Sequence, residues 1–267
     1  MSSTSQDTGS KIASLALRAV TAARASHIAS ALSIIDILVV LYSAIMRYDQ
    51  KNPNLASRDY FILSKGHACV ALYATLANYG FFSEEEFLEG YGKPGSIFMH
   101  HASHKVPGVE FSTGSLGHGA SLGAGIAFAK KAAGLDNKIY VLLSEGEMTE
   151  GSTWEAIQSA GHLGLANLVF ILDRNRLQSL GDSDAVVRLD PIREKVESFR
   201  WDYRQTNGHD RDSLALILTS ASCSDRPLFI EAETIKGYRV SFMENQFEWH
   251  YKSPSAEELQ QALAELT

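Results

Sequence analysis

Two apolar runs in this 267-residue chain end in polar residues of the kind that bind cations and anions. Ile139-Tyr140-Val141-Leu142-Leu143 leads into Ser144-Glu145-Gly146-Glu147, and Leu168-Val169-Phe170-Ile171-Leu172 leads into Asp173-Arg174-Asn175. The carboxylate of Glu145, the amide oxygen of Asn175 and nearby backbone carbonyls are hard oxygen donors. They suit Mg²⁺ or Ca²⁺ rather than zinc or copper, and such a cation keeps positions for water and phosphate oxygens. Gly146 lets the backbone turn tightly against a ligand. A helix opening near Gly151-Ser152 would turn its positive end toward an anion. On spacing alone, two readings stay open: a diphosphate-plus-cation site, or ordinary loop residues.

The elements that must position these residues follow from the pattern. Strand, helix (Ser152 to Leu163) and strand with short links make a βαβ unit, whose strands are parallel and whose crossover is right-handed. Its geometry returns the second strand end to the same sheet edge as the first, where ligands of such sheets collect. Alternation continues with a helix near Pro191 to Phe199, a strand at Trp201 to Tyr203, a helix at Ser213 to Ser220 and a strand at Leu228 to Glu231. Upstream, apolar positions from Ile12 recur at helical spacing, and a second helix carries Leu32, Ile35, Val39, Tyr42 and Met46, with Ser30 or Ser33 as its cap. Asp59 to Ser64 reads as a short strand and Val70 to Asn78 as a helix. Residues 90 to 118, rich in glycine and histidine, form a long loop of the functional kind. The fold class is α/β: a doubly wound, mostly parallel sheet with helices on both faces. Residues 1 to 10 are expected to form a flexible arm, and 11 to 267 a single domain.

Several blocks, in order along nearly the whole chain, resemble the N-terminal half of transketolases. They are Ser64-Lys65-Gly66-His67-Ala68; Ser112-Thr113-Gly114-Ser115-Leu116-Gly117-His118-Gly119; Ser144 to Ala156, continued to Asp173-Arg174-Asn175-Arg176-Leu177-Gln178; and Thr234-Ile235-Lys236-Gly237 with Trp249-His250 downstream. The resemblance implies the thiamine-diphosphate-binding fold, with thiamine diphosphate and Mg²⁺ or Ca²⁺ as cofactors. By the same resemblance, Glu145, Asn175 and the Leu177 carbonyl hold the cation. Gly146, His67 and Lys236 contact the diphosphate region, Ser30 lies along the cofactor, and the backbone of Gly114, Ser115 and Leu116 faces its aminopyrimidine ring. His27, His67, His100 and His250 line the catalytic channel, and Glu150 joins an acidic network between paired active sites. His101, His104 and His118 read instead as solvated or structural, Lys65 as a solvated charge, and the glycines from Gly117 onward as packing positions.

One block departs from the family: Ser144-Glu145-Gly146 stands where Gly-Asp-Gly is usual, and the extra methylene carries the carboxylate outward by about 1.5 Å. The family's activating glutamate and phosphate-reading arginines belong to the pyrimidine-binding half, which this chain lacks. The resemblance therefore implies a two-chain transketolase moving a two-carbon ketol unit from a ketose, expected to be a ketose phosphate, to an aldose. This chain would be its inactive N-terminal subunit, completed by a C-terminal subunit in a heterotetramer of two copies each. The alternatives are another thiamine-diphosphate enzyme with a specialised or 2-oxo acid donor, and a non-catalytic scaffold subunit.

Composition sets the outer bounds. Hydrophobic residues at 45% and charged residues at 21% are globular values. A net charge of -7 without a basic stripe argues against nucleic acid. Two distant cysteines, Cys69 and Cys223, make neither a disulfide framework nor a zinc pair. The polar N-terminus lacks a signal-peptide pattern, and Leu32 to Met46, interrupted by Ser33, Asp36 and Ser43, reads as too short and polar to span a membrane. A cytoplasmic protein with no membrane contact is the expectation.

Overall fold

The computed structural model describes residues 2 to 220 and 224 to 267; Cys223 lies outside them. Its elements are α1 (Ser2–Ala23), α2 (Ile28–Leu32), α3 (Ile35–Val40), β1 (Tyr60–Leu63), α4 (Cys69–Asn78), α5 (Glu84–Gly90), α6 (His118–Ala132), β2 (Ile139–Ser144), α7 (Gly151–His162) and β3 (Leu168–Arg174). A hairpin of β4 (Leu177–Gln178) and β5 (Gly181–Asp182) follows, then α8 (Ser183–Val186), α9 (Ile192–Ser198), β6 (Asp202–Asn207), α10 (Arg211–Ser220), β7 (Leu228–Glu233) and α11 (Ala256–Glu265).

The main sheet has the order β1-β2-β3-β7-β6, and every pairing in it is parallel. Its inner strands are apolar because both faces are covered. On β3, Val169 and Ile171 join a core with α1 to α4, while Phe170 and Leu172 join a second core with α7 and α9. The doubly wound architecture expected from the alternation is therefore present. β6 lies at the sheet edge with Arg204 and Gln205 exposed, which explains why its polar second half reads poorly as a strand.

Three expectations about the N-terminal third need correction. The residues expected to form a loose arm belong to α1, which runs without a break from Ser2; Gly9 is buried, and a Cβ there would meet the Arg211 guanidinium at 2.1 Å. The second amphipathic helix is in fact α2, α3 and a π-turn at Leu41–Ile45, buried all round through Tyr42. Neither serine caps it: Ser33 bends the chain, donating to Ser30 O (3.1 Å) and Asp173 Oδ2 (2.8 Å). By length and composition Ile28–Ile45 is apolar enough to cross a membrane, but 83% of it is buried within the fold, where it serves as a core segment.

The one acidic residue in that stretch, Asp36, is 1% exposed and ties three segments together. It accepts from Arg211 Nε (2.7 Å) and Arg239 Nη2 (2.8 Å), and lies 3.1 Å from His209 Nδ1. Burial alone would raise its carboxyl, but His209, Arg239 and Arg211 bring it below the usual carboxylate value.

Candidate active site

The carboxyl edge of the sheet gathers four loops. Ser144 pairs with Asp173 in register, so the polar runs after β2 and β3 emerge side by side, as the βαβ geometry requires. Consecutive residues on a strand face opposite ways, and this divides the edge into two groups.

On the α1–α4 face, Asp173 is a fully buried hub. Its carboxylate accepts from Lys65 Nζ, Thr234 Oγ1, Ser33 Oγ (2.8 Å) and Asn175 Nδ2 (3.1 Å). Burial would raise its pKa, yet the Lys65 charge and these hydrogen bonds hold it below the ordinary value. Lys65 is thus no solvated charge: it is 1% exposed and also donates to Ser30 O (3.1 Å). The hub fixes together the loops carrying Ser30, His67, Asn175 and Lys236.

Those loops bring imidazoles into one cluster. The His27 ring lies 4.8 Å from His250 and 5.2 Å from His67, and His67 lies 5.5 Å from His250. His27 precedes α2 in the left-handed region, with φ 70, a costly conformation for a non-glycine residue and one that concentrates at functional sites. Its N–H donates to His250 O (3.0 Å), while its buried Nδ1 has no partner. Lys236, 1% exposed, places Nζ 3.1 Å from His250 Nδ1, and Ser30 Oγ lies 3.5 Å from the same atom. Burial, then the neighbouring Lys65, lowers Lys236 to about 8. Burial, followed by nearby positive charge, lowers His27 to about 4 and pushes His67 well down. A buried ammonium beside neutral imidazoles, with no carboxylate paired to it among the described residues, is a site built to receive an anion.

The long loop supplies a different histidine from the one expected. His100 and His101 are both exposed, and His100 turns toward Tyr91, ring centroids 5.4 Å apart. It is His101 that packs 5.9 Å from His27 and against Gly114, where a Cβ would meet its ring at 2.6 Å. Tyr73 Oη sets this choice, donating to His101 O and accepting from Ser103 N–H, each at 3.0 Å. A hollow of about 270 Å³ opens beside it, lined by residues that include Met99, His101, Gly114, Ser115 and His118.

On the other face, Glu145 is 2% exposed and pairs through Oε1 with Arg174 Nη1. Arg174 also meets Asp190 (3.0 Å) and Glu231 (3.6 Å). The predicted cation ligands thus have different neighbours: Glu145 has Arg174, whereas Asn175 has Asp173 and accepts the Leu177 N–H through Oδ1 (3.1 Å). A hard oxygen remains, because Glu145 Oε2 is buried without a hydrogen-bond partner. By donor type that orphaned atom, the Asn175 amide oxygen and the Leu177 carbonyl are hard oxygens of the kind a divalent cation takes, while no described contact joins Glu145 to Asn175.

Gly146 opens the turn after β2, with Leu116 and Gln178 each 3.7 Å from where a Cβ would stand. Glu147, which sequence reasoning passed over, is fully buried and accepts from Ser64 Oγ and from Gly117 N–H (2.9 Å). Burial raises it to about 7. The signal that could have found it was a second carboxylate within one short turn. Glu150 is exposed just before α7.

Residues 4–266 match the family described as "Transketolase, thiamine diphosphate binding domain". The chain is 40% identical to the first of the subunits of apulose-4-phosphate transketolase from Phocaeicola vulgatus, covering 92% of this chain and 87% of that protein. It is 35% identical to the 6-deoxy-6-sulfo-D-fructose transketolase subunit SqwG of a Clostridium species, covering 90% and 88%. Human transketolase is 35% identical over 92% of this chain, which spans only 39% of that protein. Among solved structures, transketolase from Campylobacter jejuni superposes with a TM-score of 0.93 at 28% identity, covering 98% of this chain and 42% of that one. The chain belongs to the transketolase family, as its thiamine-diphosphate-binding domain.

Proposed function

We propose that this chain is the diphosphate-binding subunit of a two-chain transketolase, acting on an anionic ketose with a separate pyrimidine-binding subunit. Thiamine diphosphate, when bound, would supply the nucleophilic carbon needed for transfer of a two-carbon ketol unit from a ketose to an aldose. Lys236 neutralises diphosphate charge, with Gly146 and His67 beside it and Ser30 along the cofactor. The backbone of Gly114, Ser115 and Leu116 faces the aminopyrimidine ring. A cation is held by Glu145, Asn175 and the Leu177 carbonyl. His27, His67, His101 and His250 orient the hydroxyl and carbonyl oxygens of the sugar and stabilise charge that develops on them. Exposed Glu150 belongs to the contact between paired sites in a complex of two copies of each chain.

The observation that carries this reading is the convergence of His27, His67 and His250, within 5.5 Å of one another, on buried Lys236 and Ser30. A scaffold has no use for such a cluster, and a 2-oxo acid donor would call for fewer imidazoles. The relatives named for apulose-4-phosphate and 6-deoxy-6-sulfo-D-fructose support a specialised anionic ketose as donor. The test is ketol transfer from a panel of ketose phosphates and sulfonates by the chain alone, by a candidate partner alone, and by the mixture. Turnover by the mixture only is expected. Robust turnover by this chain alone would defeat the two-chain reading. Absence of any thermal shift with thiamine diphosphate and Mg²⁺ in the mixture would favour the scaffold.

A further inference from the structure

We propose that Lys236 is a positioning residue that fixes the tautomer of His250, so that this histidine presents a neutral Nε2–H donor to the substrate channel. The inference deepens the proposed function, since it rests on that reading for placing His250 among substrate oxygens. The tautomer itself follows from the Lys236–His250 contact together with the protonation states that burial sets.

His250 sits at the end of the 3₁₀ turn Phe247–His250. Its backbone carbonyl accepts the His27 N–H (3.0 Å), which anchors the residue to the start of α2. The ring is packed edge-on against His27 and Tyr251, centroids 4.8 Å away in each case. Its Nδ1 lies 3.1 Å from Lys236 Nζ, and no described hydrogen bond uses Nε2.

An ammonium carries donors and no acceptor, so the nitrogen it faces must offer a lone pair. In a neutral imidazole only one nitrogen bears the proton; with Nδ1 accepting, that nitrogen is Nε2. Ser30 Oγ, 3.5 Å from Nδ1, is a hydroxyl that adapts to either tautomer and does not oppose this assignment. The ring stays neutral because burial first, then the neighbouring Lys236 ammonium, pushes it to about 3. At neutral pH Lys236 is largely an ammonium, being lowered only to about 8.

The backbone on either side of Lys236 is held in place, and its buried side chain reaches His250 from that fixed base. The Asn245 N–H donates to Lys236 O (2.9 Å), and the adjoining Gly237 N–H donates to Ala29 O (2.9 Å). A Cβ on Gly237, which has φ +79, would meet Met243 O at 2.4 Å, so the turn after the lysine accepts no bulkier residue. The consequence is chemical. A fixed, neutral N–H donor polarises a carbonyl or hydroxyl oxygen without adding a full positive charge beside a cationic cofactor ring.

The test is nitrogen-15 NMR of the full chain labelled at histidine, at pH 7 and without added cofactor. The His250 signals would be assigned by their loss in His250→Gln. The expected result is one neutral tautomer with the proton on Nε2. In Lys236→Met the signals should move toward a mixture of both tautomers, and Lys236→Arg, which retains a donor, should preserve the single form. Circular dichroism would confirm that each variant is folded. An Nδ1-protonated or charged ring in the unmodified chain, or a pattern unchanged in a folded Lys236→Met, would overturn the proposal. Full ketol transfer by His250→Gln with the partner chain would instead overturn the placement of His250 among substrate oxygens, while leaving the tautomer assignment standing.

Discussion

At the scale of single residues, Glu145 shares its carboxylate between a protein cation and an unfilled need. Arg174, fully buried, takes one oxygen, and the other has no partner. Breaking a buried pair by deleting one side leaves an uncompensated charge and costs roughly 3–5 kcal/mol, whereas removing both sides costs far less. Arg174→Met should therefore lower stability by about that amount, and Glu145→Gln combined with Arg174→Met should recover only part of it, since Glu231 and Asp190 still lose their cation, as measured by urea denaturation in a double-mutant cycle. The cation should respond to a different change: Glu145→Gln is expected to weaken Mn²⁺ binding in the presence of thiamine diphosphate about tenfold, whereas equal binding would remove Glu145 from the cation's ligands. Residues of this kind test what a sequence reveals. Glu145, His67, Asn175, Lys236 and His250 stood out as candidates because each sits in a block with a fixed spacing. His101 did not, because an irregular loop gives no period by which to decide which of two adjacent histidines faces His27; Tyr73, distant in sequence, holds the backbone that orients them. Lys65 and Asp173 were missed for a related reason: only the folded packing shows that the charge is buried and paired.

The elements carry a pH signature and a packing signature. The loop after β7 buries Lys236, whose folded value of about 8 lies below the 10.5 of a free lysine. Between those values the unfolded chain binds more protons than the folded one, so stability should rise with pH from about 8 to 10.5 and fall again as pH drops through that window. An anion at Lys236 raises its folded value and should flatten the rise. Urea denaturation across the window with and without inorganic diphosphate checks this, and a slope indifferent to diphosphate would argue that the anion binds elsewhere. The packing signature lies where α7 crosses the segment before β6. A Cβ on Gly161 would stand 1.8 Å from the Phe199 backbone carbonyl, a contact no side-chain movement can relieve. Gly161→Ala should lower stability by roughly 1–3 kcal/mol in thermal melting, the ordinary cost of overpacking. Such close approaches explain which elements were legible. β2 and β3 declare themselves by continuous apolar runs of the right lengths, and α7 by its helical length between them. The stretch from Ile28 to Ile45 does not, because a segment buried on every side has no amphipathic period, and its breaks arise from Ser33 reaching Asp173 and from the strained backbone of His27.

For the whole molecule, the distribution of exposed apolar side chains bears on where a second subunit sits. Met99, Leu180, Val187, Phe247 and Tyr251 are among the large hydrophobics left in contact with solvent, and each lies on a loop that follows the carboxyl ends of the strands or borders the histidine cluster. Leu180, at the tip between β4 and β5, is the most exposed of them at 80%. Its hairpin directly follows Asn175, so a subunit resting on it would also close the cofactor site from above. Isolated exposed leucines are common, but one that tops a hairpin directly after a polar strand end is well placed to be covered by a second subunit. Leu180 contributes almost nothing to the chain's own core, and its replacement by a charged residue should leave the melting temperature within about a degree. Leu180→Asp is accordingly expected to weaken association with the pyrimidine-binding partner by tenfold or more in sedimentation or calorimetry, and to reduce ketol transfer at subsaturating partner by the same factor. Saturating partner should restore the rate, because the cluster of His27, His67, His101 and His250 is untouched. A variant that binds its partner normally would place the interface elsewhere on the molecule, and one that binds normally yet turns over slowly would make the hairpin part of the channel wall instead.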